Sequence, residues 1–200
     1  MNRETKKLII NIVLAMMFLA TAFIYGAITG DRKFDAPYVE YDCDVKNITL
    51  STTIEIEKDG KHFAKVKGNI LKFITDPLTM YDAEDEQLAY AGDAYHFIAQ
   101  DSHTIYVNRE FSVEMVGLFD LFGETYDIYD FEQEKIATVE CNVWNTEGQM
   151  YDENDTLLAE FTSNYFFNDF KVRISENCEL DEKTVLMIFC SYYSDQHADR

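Results

Sequence analysis

Two hundred residues carry 37 acidic against 17 basic side chains, a net charge of −20. That balance weighs against nucleic acid as a partner, because such affinity comes from Lys and Arg on phosphates, and against broad adhesion to an anionic membrane face. With 14% aromatics and only two prolines, the chain reads as folded and long enough to bury a full core without staples.

Residues 1–7 form a basic tail with Arg3, Lys6 and Lys7. Residues 8–30, "LIINIVLAMMFLATAFIYGAITG", contain no charge. As a helix that run is roughly 34 Å long, enough to span a bilayer with some tilt. A cleavable signal peptide is the competing reading, with Ala20-Thr21-Ala22 as its site. The apolar run continues through Phe23, Ile24 and Tyr25, which favours an uncleaved transmembrane anchor. The basic tail sets the N-terminus in the cytoplasm and the domain on the far side, although Arg32 and Lys33 pull the other way. Ala22, Gly26 and Gly30 share small-xxx-small spacing, a pattern that ordinary small-residue usage also produces. Residues 31–46, acidic and polar with one Pro, read as a linker.

From 47 onward the sequence repeats itself. "MYDAEDEQLAYA" (80–91), "IYDFEQEKIATV" (128–139) and "MYDENDTLLAEF" (150–161) align without a gap, and "IEKDGKHFAKV" (56–66) is one residue shorter. Each pattern predicts a β-hairpin. A strand ends at Tyr-Asp, polar residues make the tip, and an alternating strand returns. Asp at the exit bonds its own backbone to start the turn, and Asp59-Gly60 supplies the positive φ angles of a tight turn. Between about 47 and 175 the patterning gives ten to twelve short strands and no helix.

The last element differs. Asp181 is a candidate N-cap, and "KTVLMIFCSYYSD" is apolar on every side over Val185–Cys190. The spacing predicts a helix over about 182–194, too short to cross a bilayer and therefore buried all round. Residues 196–200 are a short tail. A barrel of ten to twelve antiparallel strands is wide enough to hold such a helix. The fold expected is mainly β: a closed antiparallel barrel of about twelve strands over 47–195, around a buried hydrophobic C-terminal helix and preceded by one transmembrane helix. Ala89, Ala137 and Ala159 recur at one repeat position and should face inward, making room for the helix. The competing shape is a two-layer sandwich with the helix on its end.

Chemistry-bearing motifs are scarce. Cys43, Cys141, Cys178 and Cys190 form no CxxC pair, and Cys190 reads as core. His62, His96, His103 and His197 form no HExxH, and no GxSxG, P-loop or dinucleotide fingerprint occurs. The acidic tips at 82–86 and 152–155 lack the calcium-loop pattern. No catalytic residue, metal ligand or cofactor is assigned. Trp144 reads as a packing residue. Leaving out Arg3, Glu4, Lys6 and Lys7, the chain has 14 basic and 36 acidic side chains, a net of −22. Against that background "EKDGKHFAKVKGNILK" (57–72) stands out. As a strand it puts Lys61, Lys65 and Lys67 on one face, and with Lys72 these are the candidate contact for a lipid headgroup or anion. A solvated face that protects the strand from edge pairing explains the same lysines.

The repeated Tyr-Asp hairpins, most specifically Phe119–Ile174 from "FDLFGETYDIYD" to "NDFKVRI", followed by "DEKTVLMIFCSYYSD", resemble the LURP-one-related family over about 47–195. That family is similar to tubby C-terminal domains and phospholipid scramblases. The resemblance implies a twelve-stranded barrel around a hydrophobic helix. It also implies a lipid connection, since tubby domains bind phosphoinositides through basic residues and scramblases act on membrane lipids. This chain departs in its acidity and its N-terminal anchor. The functional expectation is a membrane-anchored, non-enzymatic barrel that binds a lipid or small amphiphile, held in the bilayer through 8–30. The alternative is a structural domain displayed at the membrane surface for a protein partner.

Overall fold

The computed structural model describes residues 10–17, 32–48, 51–69, 77–93, 100–118, 124–142, 146–164 and 169–198. The chain divides into two compact units, Met1–Asp31 and Arg32–Arg200. In the first, residues 10–17 form a helix, α1. The rest of the apolar run expected to span the membrane lies outside the described residues. Among the described residues no helix is long and apolar enough to cross a membrane.

The second unit is a closed barrel of twelve described strands. The first six are β1 (Tyr38–Ile48), β2 (Ser51–Lys58), β3 (Lys61–Asn69), β4 (Leu78–Tyr81), β5 (Gln87–Asp93) and β6 (Gln100–Val107). The second six are β7 (Glu110–Leu118), β8 (Glu124–Tyr129), β9 (Lys135–Cys141), β10 (Glu147–Tyr151), β11 (Leu157–Ser163) and β12 (Asp169–Ser175). Each strand pairs antiparallel with its sequence neighbour, and β1 closes the ring on β12, from Tyr38↔Ser175 to Asp44↔Asp169. Closure leaves no edge strand, which rules out the sandwich.

Two boundaries differ from the sequence expectation. Residues 38–46, read as linker, belong to β1. Its wallward Glu40, Asp42 and Asp44 gave the stretch an acidic look, while Tyr41 and Cys43 turn into the core. The C-terminal helix, α2 (Glu182–Ala198), runs four residues beyond the expected end.

The repeat is a hairpin with a built-in bulge. Met80 pairs with Ala89 but Tyr81 with Gln87, leaving Leu88 as the extra residue. The same slip leaves Ile136 in β9 and Leu158 in β11, and it recurs at Phe63 in β3 and Ser112 in β7. The four apolar extras all pack against the core. Ser112 instead shares a 2.6 Å hydrogen bond with the Thr184 hydroxyl in the first turns of α2. The bulge therefore re-aims one residue per hairpin.

The turn chemistry follows the expected Asp. Asp82 Oδ1 accepts from the backbone N–H of Glu84 (3.0 Å) and Glu86 (2.8 Å). Asp152 Oδ1 does the same for Asn154 and Thr156, and Asp130 Oδ1 accepts from Glu134. Asp85, Gln133 and Asp155 carry positive φ at equivalent places. Asp59-Gly60 and Asn108-Arg109 are two-residue turns with both φ positive.

Helix α2 fills the barrel. Every side chain from Thr184 to Tyr193 is buried. Ala64, Ala89, Ala137 and Ala159 face inward at no more than 2% exposure, so small wall residues leave the width that the helix occupies. Phe189 stacks on Phe161 of β11 (5.8 Å between centroids), and Tyr193 stacks on Phe170 of β12 (5.0 Å). A helix with no polar face has been given a wall on every side.

Candidate functional site

The barrel offers five places where chemistry gathers. Two hold α2. At its start, the Glu182 carboxylate accepts from Tyr41 and from Lys58 Nζ (2.9 Å). Burial works against the Glu182 anion, but these two donors outweigh it and hold its pKa below the ordinary range. Burial, then Glu182, pushes the Tyr41 phenol up to about 12. At the far end His103 Nε2 lies 2.8 Å from Asp195 Oδ2, and its Nδ1 lies 3.5 Å from Asp93. The His103–Asp195 pair is buried while Asp93 is exposed; the pair ties α2 to β6 and is a positioning device for the helix. Sequence spacing of the histidines gave no sign of it, because Asp195 is 92 residues away.

The third place is the lysine face. Lys65 and Lys67 point outward from β3 while Ala64 and Val66 point inward, as alternation requires. Both cations are engaged by one hairpin tip. Lys65 Nζ lies 2.5 Å from Asp85 and Lys67 Nζ 3.9 Å from it, and Lys67 also sits 5.2 Å from the Tyr81 ring centroid. Lys61 is exposed beside the β2–β3 turn, and Lys72 lies outside the described residues. The carboxylate from the next hairpin neutralises much of what looked, in sequence, like an isolated basic patch.

The fourth is an acidic-aromatic cradle on β9, β10 and the β10–β11 tip. Arg32 enters it. Its guanidinium lies over Tyr151 at 3.7 Å, with Nη1 3.0 Å from Glu140 and Nη2 3.2 Å from Asp155. Gln149 Nε2 donates to the Arg32 carbonyl (3.2 Å). Burial would lower the guanidinium pKa, but the two carboxylates raise it. The fifth is a ladder of rings on the outer wall. Tyr90, Tyr106, Phe111 and Phe131 succeed one another at 6.3, 6.1 and 5.8 Å. Phe131 is 79% exposed and Tyr106 37%. No run of sequence marks this ladder, since its members come from three strands and a turn.

A hollow of about 450 Å³ also opens at the rim where β1, β11 and β12 meet, lined by Cys43 and Phe170 together with the charged Asp42, Asp44, Asp169 and Lys171. Cys43, Cys141, Cys178 and Cys190 are free thiols. Burial raises the pKa of each, that of Cys190 to about 12, so none of them is an activated nucleophile. Among the described residues no three His, Cys, Asp or Glu side chains gather to hold a metal ion. At the acidic tips, the Oδ1 atoms of Asp82 and Asp152 accept from backbone N–H groups. Trp144 and His96 lie outside the described residues.

This architecture has a solved counterpart. The X-ray structure of the Arabidopsis thaliana protein AT5G01750 shares it at a TM-score of 0.53. The match covers 80% of this chain and 92% of that one at 13% sequence identity. That protein is a member of the LURP-one-related family, the family the hairpin repeats resemble. At this identity the likeness extends to the fold and no further. No protein-family model matches the chain, and no curated protein matches it.

Proposed function

We propose that this chain is a non-enzymatic interaction module: a barrel displayed from a membrane anchor at residues 8–30, binding a protein partner through its outer wall. One observation carries the reading. The barrel interior, the natural ligand cavity of a closed sheet, is occupied from Thr184 to Tyr193 by α2. Binding then falls to the outside, where Asp85 engages Lys65 and Lys67 and the ladder exposes Phe131 and Tyr106. Large exposed aromatics on a wall of mixed charge are the usual composition of a protein-binding patch. The basic residues before the apolar run orient the anchor with the barrel on the extracytoplasmic side.

The rim hollow favours a second reading, the binding of a small amphiphile, because its lining joins the buried Phe170 and Cys43 to charged Asp42, Asp44, Asp169 and Lys171. Native mass spectrometry on the full chain released from detergent separates the two. The interaction-module reading predicts the bare chain mass. A defined lipid mass retained by the wild type, but lost on Phe170→Trp, would replace it with the amphiphile reading. Alkaline extraction of membranes tests the anchor, which predicts retention in the pellet. Release into the supernatant would overturn it.

A further inference from the structure

The three Tyr-Asp hairpins are built alike, so what each does with its tyrosine can be compared position by position. In two of them a cation of this chain lies over the ring beside the tip carboxylate. Tyr151 takes Arg32, flanked by Asp155 and Glu140. Tyr81 takes Lys67, with Asp85 bound by Lys65. The hairpin at Tyr129 differs at three equivalent positions. Opposite Tyr129 on the neighbouring strand stands Glu114, where Lys65 stands opposite Tyr81. Gln133 replaces Asp85 and Asp155 at the tip and donates to Glu114 at 3.1 Å. Phe131 replaces Ala83 and Glu153, and its exposed ring extends the Phe111–Tyr106–Tyr90 ladder. Against the Tyr81 hairpin this one has a carboxylate for a cation opposite its tyrosine, a place that Thr138 takes opposite Tyr151. Against both it has an aromatic residue for a small or acidic one at the tip; its own cation, Lys135, pairs with Tyr129 from the returning strand. Around the ladder stand Glu110, Glu132 and Glu134, all exposed, against Arg109 and a Lys135 already 2.7 Å from Asp127.

Resting on the interaction-module reading, we infer that this ladder face is the docking surface, and that its occupant is a basic, arginine-bearing segment of a protein partner. Arg32 on Tyr151 is the intramolecular precedent for the recognition chemistry. A planar guanidinium stacks on an aromatic face while carboxylates take its N–H groups. Charge complementarity points the same way, because a wall of net negative charge selects a positive partner and speeds its encounter. Arginine is favoured over lysine, since a planar guanidinium lies flat on a ring while its rigid fork takes two carboxylates at fixed angles, whereas an ammonium is a compact, strongly hydrated point charge.

The test uses the full chain in detergent micelles and three fluorescein-labelled peptides of alternating glycine with arginine, lysine or glutamate, read by fluorescence anisotropy near physiological salt. The arginine peptide is expected to bind several-fold tighter than the lysine peptide, and the glutamate peptide not at all. Phe131→Ala combined with Tyr106→Ala should weaken arginine-peptide binding about tenfold, a cost of roughly 1.4 kcal/mol. Glu55→Gln with Glu57→Gln, which removes two charges from the separate β2 wall, should leave it unchanged. The melting temperatures of both double variants, measured alongside, show whether each is folded. Should the ladder variant unfold, Phe131→Glu and Phe131→Arg replace it, the first expected to keep or raise affinity and the second to abolish it. Equal binding of lysine and arginine peptides, or binding indifferent to the ladder but reduced by the β2 variant, would mean non-specific charge attraction and would overturn the inference. So would absence of binding by any peptide. Failure of the underlying reading is seen separately, as a lipid mass retained by the unmodified chain.

Discussion

Replacing Phe189 by alanine removes the ring at the middle of α2. That ring is fully buried and stacked on Phe161 at 5.8 Å, 18° from parallel. Burial of a phenyl ring and the cavity left behind together cost about 3–5 kcal/mol in Phe→Ala changes. The ring pair supplies about 0.5–1.5 kcal/mol of that. The site does not sit at the lower end of the range, because the surrounding wall is closed by strand pairing on every side and cannot collapse inward as a helix pair can. A loss of about 4 kcal/mol is a large part of the 5–15 kcal/mol typical of domains. With a urea slope of about 2 kcal/mol/M it moves the midpoint down by about 2 M. The assay is urea unfolding of the full chain followed by circular dichroism. Phe131→Ala, which truncates a ring 79% exposed, is the control and should stay within about 0.5 kcal/mol of wild type. Equal midpoints for the two variants would refute the claim that α2 is the core.

Three further outcomes follow from the same packing. Ser191 Oγ is fully buried with no hydrogen-bond partner among the described residues, so Ser191→Ala should raise stability by about 1–2 kcal/mol, seen as a higher urea midpoint. Ala159→Leu puts extra carbons between β11 and α2 at a position with 0% exposure, and should lower the midpoint by about 1–3 kcal/mol worth of stability. Glu182 has a folded pKa below its ordinary 4.5. Its stabilisation is therefore full above about 4.5 and is lost as pH falls through the folded value. Glu182→Gln should flatten that part of the stability profile between pH 3 and 6 in acid titrations (roughly the carboxylate range). An unchanged acid profile would show that Tyr41 and Lys58 do not favour the anion.

Much of this architecture was legible because the repeat states it three times. Tyr-Asp fixed the strand exits, and the Asp side chains make the backbone bonds that their position implied. The apolar residue before each Ala was visible as a pattern, but its role as a bulge was not, since a bulge exists only in the pairing of two strands. The all-round apolar run of α2 required enclosure, and the inward alanines supplied it. Strand β1 was obscured by Glu40, Asp42 and Asp44, although Val39, Tyr41, Cys43 and Val45 alternate with them. Their acidity is matched from β12, where Lys171 and Arg173 bond Glu40. The site was the least legible part. The lysines of β3 were read without the Asp85 that engages two of them from the next hairpin, and the ring ladder draws on residues up to 41 positions apart (Tyr90 to Phe131).

Hydrogen exchange along α2 tests most directly the claim that the barrel is filled and that binding belongs to its outer wall. The backbone amides of Val185–Tyr193 should exchange only through global unfolding, at the slowest rates in the chain. Exchange there as fast as in the hairpin tips would mean that the helix leaves the barrel, and would return the interior to the list of binding sites.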